Sequence, residues 1–177
     1  MEKTEAIVKR EQAFVLYVLE RLQKDSAFGA ALRRADNPVT EYQAWEYLSR
    51  WCDIDKPWEL LPFATVGAAL ARAKPVIDGM MGIGTAIASC YTEGGIPGNQ
   101  NDTARAKLRR LLSCDTVEET CKILRPLLSL ISSRGVPLSY SDLLGDLTYF
   151  NEFKKQKWAV DFYGRRQQSD DSINLQS

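Results

Sequence analysis

Apolar residues recur along most of this chain at intervals of three and four, the period of a helix with one buried face. Between Glu5 and Lys24, the residues Ile7, Phe14, Val15, Val18, Leu19 and Leu22 fall on one side. Ser26 is placed to cap a short helical turn reaching Arg34, and Asn37-Pro38 breaks the chain after it. Thr40 caps a helix with Tyr42, Trp45 and Leu48 on its face. Pro57 suits a first helical position, Trp58 to Lys74 is apolar and alanine-rich, and Pro75 stops it. A loose stretch from Asp78 to Gly84 leads to a short helix over Thr85–Tyr91. Glu93 to Asp102 holds three glycines and a proline and reads as a mobile loop.

The second half continues the pattern. Asp102 or Thr103 caps a helix whose Leu108, Leu111 and Leu112 share a face. Asp115 with Glu118 forms a capping box for a helix ending at Gly135, with a kink or break expected near Lys122 because Pro126 lies inside it. Ser139 with Asp142 is another box, followed by the stripe Leu143, Leu144, Leu147 and Phe150. The last helix spans Asn151–Gly164, with Phe153, Trp158 and Phe162 inward and Lys154, Lys155 and Lys157 outward. From Gln167 to Ser177 the chain is polar and reads as disordered. No segment alternates with period two, so the fold class predicted is all-α, a helical bundle. Residues 1–166 form one domain, and 1–92 and 103–166 are its two sub-bundles if it divides.

Charge sharpens this picture. Lys plus Arg and Asp plus Glu both total 23, so the net charge is zero. Its distribution is uneven: Asp36–Glu59 holds two cations and six acids, net −4, and Thr103–Gly135 holds seven cations and three acids, net +4. Within the second stretch, Arg105, Lys107, Arg109 and Arg110 occupy six residues without an acid. Such a helix presents charge rather than balancing it, and a polyanion is the natural partner. Arginine forks match phosphate oxygens in pairs. Arg33 and Arg34 are adjacent, so at most one faces inward and the other is free for an anion. The bland alternative, a solvated helix face, is preferred for Lys154, Lys155 and Lys157. Trp45, Trp51, Trp58 and Trp158 could stack on unpaired bases, but tryptophans at helical spacing among leucines belong more often to a core.

Catalytic chemistry finds little support. The chain has no histidine, which removes the commonest general base and metal ligand. Cys52, Cys90, Cys114 and Cys121 contain no CxxC pair and read as small reduced core residues of a cytosolic protein. Gly79 to Thr85 superficially resembles a phosphate loop but lacks its Gly-Lys-Ser/Thr ending and a preceding strand. Asp53 with Asp55 is a weak Mg²⁺ candidate, and a Ser-Lys dyad has no supporting motif. No catalytic residue, metal or cofactor is therefore assigned. The charged start of the chain reads as no signal peptide, and the longest uncharged run, Gly79–Thr92, is too short for a bilayer.

Four pieces, in this order and spacing, carry a resemblance across most of Phe28–Tyr163. They are Gly29-Ala-Ala-Leu-Arg-Arg34; Ile83-Gly-Thr-Ala-Ile-Ala88; Ala104-Arg-Ala-Lys-Leu-Arg-Arg-Leu-Leu112 with Cys114-Asp115; and Gly135-Val-Pro-Leu-Ser139 leading to Asp142-Leu-Leu-Gly-Asp-Leu147 and Trp158-Ala-Val-Asp-Phe-Tyr163. Together they resemble the CasB family, the small subunit of the type I-E Cascade complex in prokaryotic CRISPR immunity. The resemblance implies an all-helical, non-enzymatic, cytoplasmic protein that sits as a pair among other Cascade subunits. It further implies contact with crRNA and target DNA without sequence reading, and support of the opened target. The matching basic positions are Arg33, Arg34, Arg105, Arg109 and Arg110, with Arg125 and Arg134 as additions, and Lys107 joins them as a candidate contact from the charge of its helix. The chain departs from the family pattern in its longer first helix, its polar tail and its zero net charge. The competing reading is a stand-alone helical adaptor whose arginine face binds an acidic protein.

Overall fold

A computed structural model of the protein describes residues 8–164. Among them are nine α-helices and no strand, with 67% of residues helical, so the fold is all-α. The order is α1 (Arg10–Leu22), α2 (Ser26–Leu32), α3 (Trp45–Leu48), α4 (Pro57–Ala73), α5 (Ile83–Cys90), α6 (Asp102–Leu112), α7 (Val117–Ser133), α8 (Tyr140–Thr148) and α9 (Glu152–Tyr163). The polar tail expected from Gln167 onward, and Ile7, lie outside the described residues.

The apolar helix is the central one. In α4 nearly every residue from Leu60 to Ala71 is buried, so it has no solvent face and must be wrapped by others. Pro57 opens it at a position with no helical hydrogen bond to lose, and Lys74 closes it in the left-handed region at φ 47°. It packs most extensively against α7 and then α8, with α1 lying across α8 and α5 pairing with α9. Helices from before and after the Glu93–Asp102 segment thus share one continuous core. Phe14, Phe28, Phe63, Leu32, Leu108, Leu124 and Trp158 are among its fully buried side chains.

Several local expectations shift. The cap of α2 is Asp25, which accepts from Phe28 N at 2.9 Å, and not Ser26. The cap of α6 is Asn101, accepting from Ala104 N at 3.1 Å. The capping box of α7 lies one residue later than Asp115/Glu118. Thr116 accepts from Glu119 N at 3.2 Å, and the Glu119 carboxylate accepts from Asp115 N at 3.0 Å. The α7 helix runs through Pro126 without a break, because proline removes only one N–H and its ring lies exposed. Its end is as expected: Gly135 takes φ +67°, and Val136 N donates back to Ile131 O at 3.2 Å.

The Asp78–Gly84 stretch is pinned rather than loose. Gly79 N donates to Leu138 O and Met81 N to Pro137 O, both at 3.0 Å, and Ser139 N donates to Met81 O at 2.8 Å. The Asp78 carboxylate accepts from Tyr140 N at 2.7 Å and Ser141 N at 3.1 Å, so it caps α8 from a distant part of the chain. The glycines of GMMGIGT therefore serve close packing. A Cβ on Gly79 would stand 2.2 Å from Pro137 O, and one on Gly84 would stand 2.1 Å from Trp158 O.

Gly84→Ala should consequently force α5 off α9, since the groups its Cβ meets, Trp158 O at 2.1 Å and Phe162 N at 2.8 Å, are backbone and cannot rotate away. A loss of at least about 2 kcal/mol is expected from overpacking. Gly145→Ala in α8 is the control, because its Cβ meets nothing within 4 Å. Alanine there should gain about 0.5–1 kcal/mol. Urea denaturation midpoints that move the same way in both variants would refute the packing account.

Candidate nucleic-acid interface

The basic helix α6 buries Ala104, Leu108 and Leu111 and turns Arg109 and Arg110 to solvent. Its cations divide between two flanks. On one side, Arg105 Nε donates to Asn99 O at 2.8 Å, and Asn99 Nδ2 reaches Tyr163 O at 3.4 Å. Arg105 also lies 3.9 Å from Asp102, so much of its role is to clasp the preceding loop onto α9. On the other side, Lys107 and Arg110 line a shallow groove with Lys122, Ile123, Pro126 and Leu127 of α7. Lys107, Arg109, Arg110 and Lys122 make no ion pair among the described residues.

Arg125 lies three residues on from Lys122, a neighbouring position on α7. It is paired: Arg125 Nε stands 3.2 Å from Asp36 Oδ2. The Asp36 side chain is only 2% exposed and also receives Arg72, whose Nη1 and Nη2 donate to its two oxygens at 2.7 and 2.6 Å. Hydrogen bonding from this carboxylate raises Arg72 above the ordinary guanidinium range, against burial, which acts the other way. Arg72 Nη2 further donates to Arg33 O at 2.8 Å. Arg33, with no ion pair among the described residues, then lines a surface hollow with Lys24 and Lys74. The cations follow one another as a track: Lys107, Arg110 and Lys122 in the groove, Arg125 one step along α7, Arg72 sharing Asp36 with it, and Arg33, whose carbonyl accepts from Arg72.

Of the sequence-predicted positions, the structure thus gathers Lys107, Arg110, Arg125 and Arg33 on one track. Arg109 stands exposed on the α6 ridge beside it. Arg33 and Arg34 lie in the turn just past the end of α2, and both are exposed, so neither faces inward. Arg34 donates to Gln43 Oε1 at 2.7 Å. Arg134 is exposed at the C-cap of α7, about 18 Å along the helix from Lys122 and off the track.

Sequence reasoning overlooked Arg72 as a site residue and left Lys122 uncounted among them. A signal for Arg72 existed: it is the sole charge between Glu59 and Lys74. Asp36 was grouped with an acidic half, yet it sits beneath two arginines.

The outward lysine reading of α9 also needs correction. Lys155 is buried, 8% exposed, with its Nζ 5.9 Å from the centre of the Phe150 ring and 2.8 Å from Glu152. Phe153, expected inward, is 78% exposed because it lies about 140° round the helix from Trp158. Lys154 and Lys157 converge on Asp146 at 3.1 and 2.9 Å. Trp158 is core and Trp51 packs on Phe14 and Tyr17, whereas Trp45 and Trp58 are exposed by 37% and 56%.

All four cysteines are buried thiols. Burial pushes Cys52 up to about 11 and Cys121 up to about 12 and raises Cys90 and Cys114, so none is a ready thiolate. Among the described residues no three His, Cys, Asp or Glu side chains are grouped to hold a metal ion. No described helix is long and apolar enough to cross a membrane.

Fold and site together define a small all-helical protein with cations on α6 and α7 that make no ion pair among the described residues, and two arginines held by one buried carboxylate. The family model of the CRISPR-associated protein Cse2 matches residues 29–163, and the chain belongs to that family. Solved structures share the fold. A chain of a CRISPR RNA-guided surveillance complex superposes with a TM-score of 0.69 at 19% identity, covering 87% of this chain and 91% of that one. A CRISPR-associated protein of the Cse2 family from Thermus thermophilus gives 0.67 at 19% identity, covering 89% of this chain and 100% of its own. A structure of CasB from Thermus thermophilus gives 0.66 at 19% identity with the same coverage. No curated protein matches the chain significantly.

Proposed function

We propose that this chain is the small, non-enzymatic subunit of a crRNA-guided surveillance complex and that it grips nucleic-acid backbone through the α6–α7 surface. The observation that carries the reading is the groove where Lys107, Arg110 and Lys122 converge without an acid to neutralise them. With no acid to give up, these cations offer a phosphate their full charge, against an ordering cost of about 0.5–1.5 kcal/mol for each side chain immobilised. They read no base, so sequence choice rests with the guide. Exchanging a DNA duplex for a guide–target duplex is nearly balanced in energy, and a few phosphate contacts are enough to tip it. The zero net charge suits a component that binds inside an assembly, with other subunits, crRNA and target DNA supplying the rest. Self-association as a pair and a cytoplasmic setting belong to the same reading.

The test compares target-DNA binding by the complex with and without this subunit, at two salt concentrations and on two unrelated matched targets. Removal should weaken binding, more at low salt, and equally for both targets. An unchanged affinity would sink the proposal and favour an acidic protein as the partner of the α6–α7 surface. So would an effect confined to one target.

A further inference from the structure

Beside the groove, on the other flank of α7, lies a cavity of about 190 Å³ between α4 and α7. Asp36, Thr65, Arg72, Arg125, Ser129 and Ser132 contribute its polar lining. Its volume is several times the ~30 Å³ that one water takes in the liquid. We propose that this cavity cradles a single phosphate group, with Arg125, Ser129 and Ser132 as donors and Asp36 as the residue that positions the arginine. The proposal rests on the nucleic-acid reading above only for the source of that phosphate, a backbone phosphodiester.

The hydrogen-bond inventory supports it. Both terminal nitrogens of Arg72 are occupied, by the two Asp36 oxygens and by Arg33 O. Arg125 approaches Asp36 with Nε at 3.2 Å, and its two terminal nitrogens hydrogen-bond to no described residue. Those nitrogens form the planar fork that matches paired phosphate oxygens. Ser133 spends its hydroxyl on Leu130 O at 2.8 Å, whereas the hydroxyls of Ser129 and Ser132 bond no described residue. Two guanidinium groups on one carboxylate leave one positive charge, the complement of one phosphodiester. Pairing to a buried carboxylate also fixes the arginine before the ligand arrives, which lowers the ordering cost of binding. Arg125 and Lys122 are neighbours along α7, so a strand leaving the α6–α7 groove would reach the cradle by crossing the α7 ridge between them.

The experiment titrates inorganic phosphate into the full chain and follows individual residues by NMR. Saturable shifts are expected at Arg125, Arg72, Ser129 and Ser132. Arg125→Lys keeps the charge but loses the fork, and should abolish them. The double variant Ser129→Ala with Ser132→Ala should fold at least as well, since alanine favours helix, and should also lose them. Asp36→Asn separates positioning from attraction. It makes the site more positive, so simple attraction expects tighter phosphate binding, and positioning expects binding several-fold weaker. Shifts spread evenly over exposed lysines and arginines would overturn the cradle. So would wild-type binding by Arg125→Lys or tighter binding by Asp36→Asn.

A second arm places Arg125→Gln, which removes the charge, in the assembled complex. The salt dependence of target binding should flatten by about 0.7, the loss of one contact on a single strand, and an unchanged slope overturns the backbone as the source. If the complex needs the subunit but the chain shows no phosphate shifts, the cradle falls alone. If the shifts occur but the complex binds target equally well without the subunit, the cradle stands and the nucleic-acid reading falls, with free phosphate as the ligand.

Discussion

Reversing Lys107, Arg110 and Lys122 to glutamate together should lower the affinity of the complex for matched target DNA by on the order of a hundredfold at low salt. Three attractive contacts are lost and three repulsive ones replace them, all around one groove. The slope of log affinity against log salt should flatten by about 2, near 0.7 for each contact on a single strand. The fold should survive, because Arg110 and Lys122 are exposed and none of the three residues belongs to the buried leucine face of α6 or α7. Circular dichroism melting of the isolated variant checks that point. Arg109→Glu alone, on the α6 ridge outside the groove, should have a much smaller effect. If the triple variant melts as the parent does and the complex binds with unchanged affinity and salt slope, the groove is not a phosphate contact. Equal effects from the single and triple variants would count against the groove in favour of diffuse charge.

The second large effect concerns stability. Trp158 is fully buried and is the largest such side chain. Its Nε1 donates to Asp146 Oδ2 at 2.8 Å, and the Lys157 ammonium donates to the same carboxylate at 2.9 and 3.1 Å. Trp158→Ala should cost about 3–5 kcal/mol, combining lost burial with the cavity left behind. In a chain of this size that corresponds to a fall in Tm of roughly 10 °C or more. Trp158→Phe keeps most of the apolar volume and leaves Asp146 with two lysines, so it should cost distinctly less. Asp146→Ala instead strands the indole N–H without an acceptor, a penalty of about 1–3 kcal/mol. Thermal and urea unfolding of the three variants should rank alanine at 158 as the most damaging. A Trp158→Ala protein as stable as the parent would show that α9 is not an integral part of the core.

Much of the fold was legible along the chain because helices are written locally. The stripe Leu108, Leu111 and Leu112, the continuous apolar run of α4, the cap Ser139 and the glycine stop at Gly135 each depend on residues within two turns of one another. The family was legible too, since it lies in the order of short pieces, and its model covers residues 29–163. Exposure on one face was read less well. In α9 the inward reading of Phe153 went against the period, since five residues separate it from Trp158, whereas Lys155, three before Trp158, shares the buried face despite its charge. Burial followed the side that α5 offers.

The site divides in the same way. That α6 carries unbalanced positive charge is a property of six consecutive residues, and composition determined it without help from tertiary structure. Which cations stay free is a different matter, because pairing is decided by elements far apart in sequence. Asp36 and Arg72 are separated by 36 residues, yet they join in the closest ion pair of that cluster, with Arg125 on the same carboxylate. Arg105, read as a phosphate contact, spends its Nε on a loop carbonyl. Lys122 joins Lys107 and Arg110 only because α7 packs beside α6. That the protein is helical, which family it belongs to and where positive charge accumulates can all be read along the chain, since they rest on local pattern and order. Which charges neutralise one another and which converge is settled by how the helices pack. Coulomb interaction and hydrogen bonding depend on distance in space, and the packing of α2, α4, α6 and α7 sets those distances.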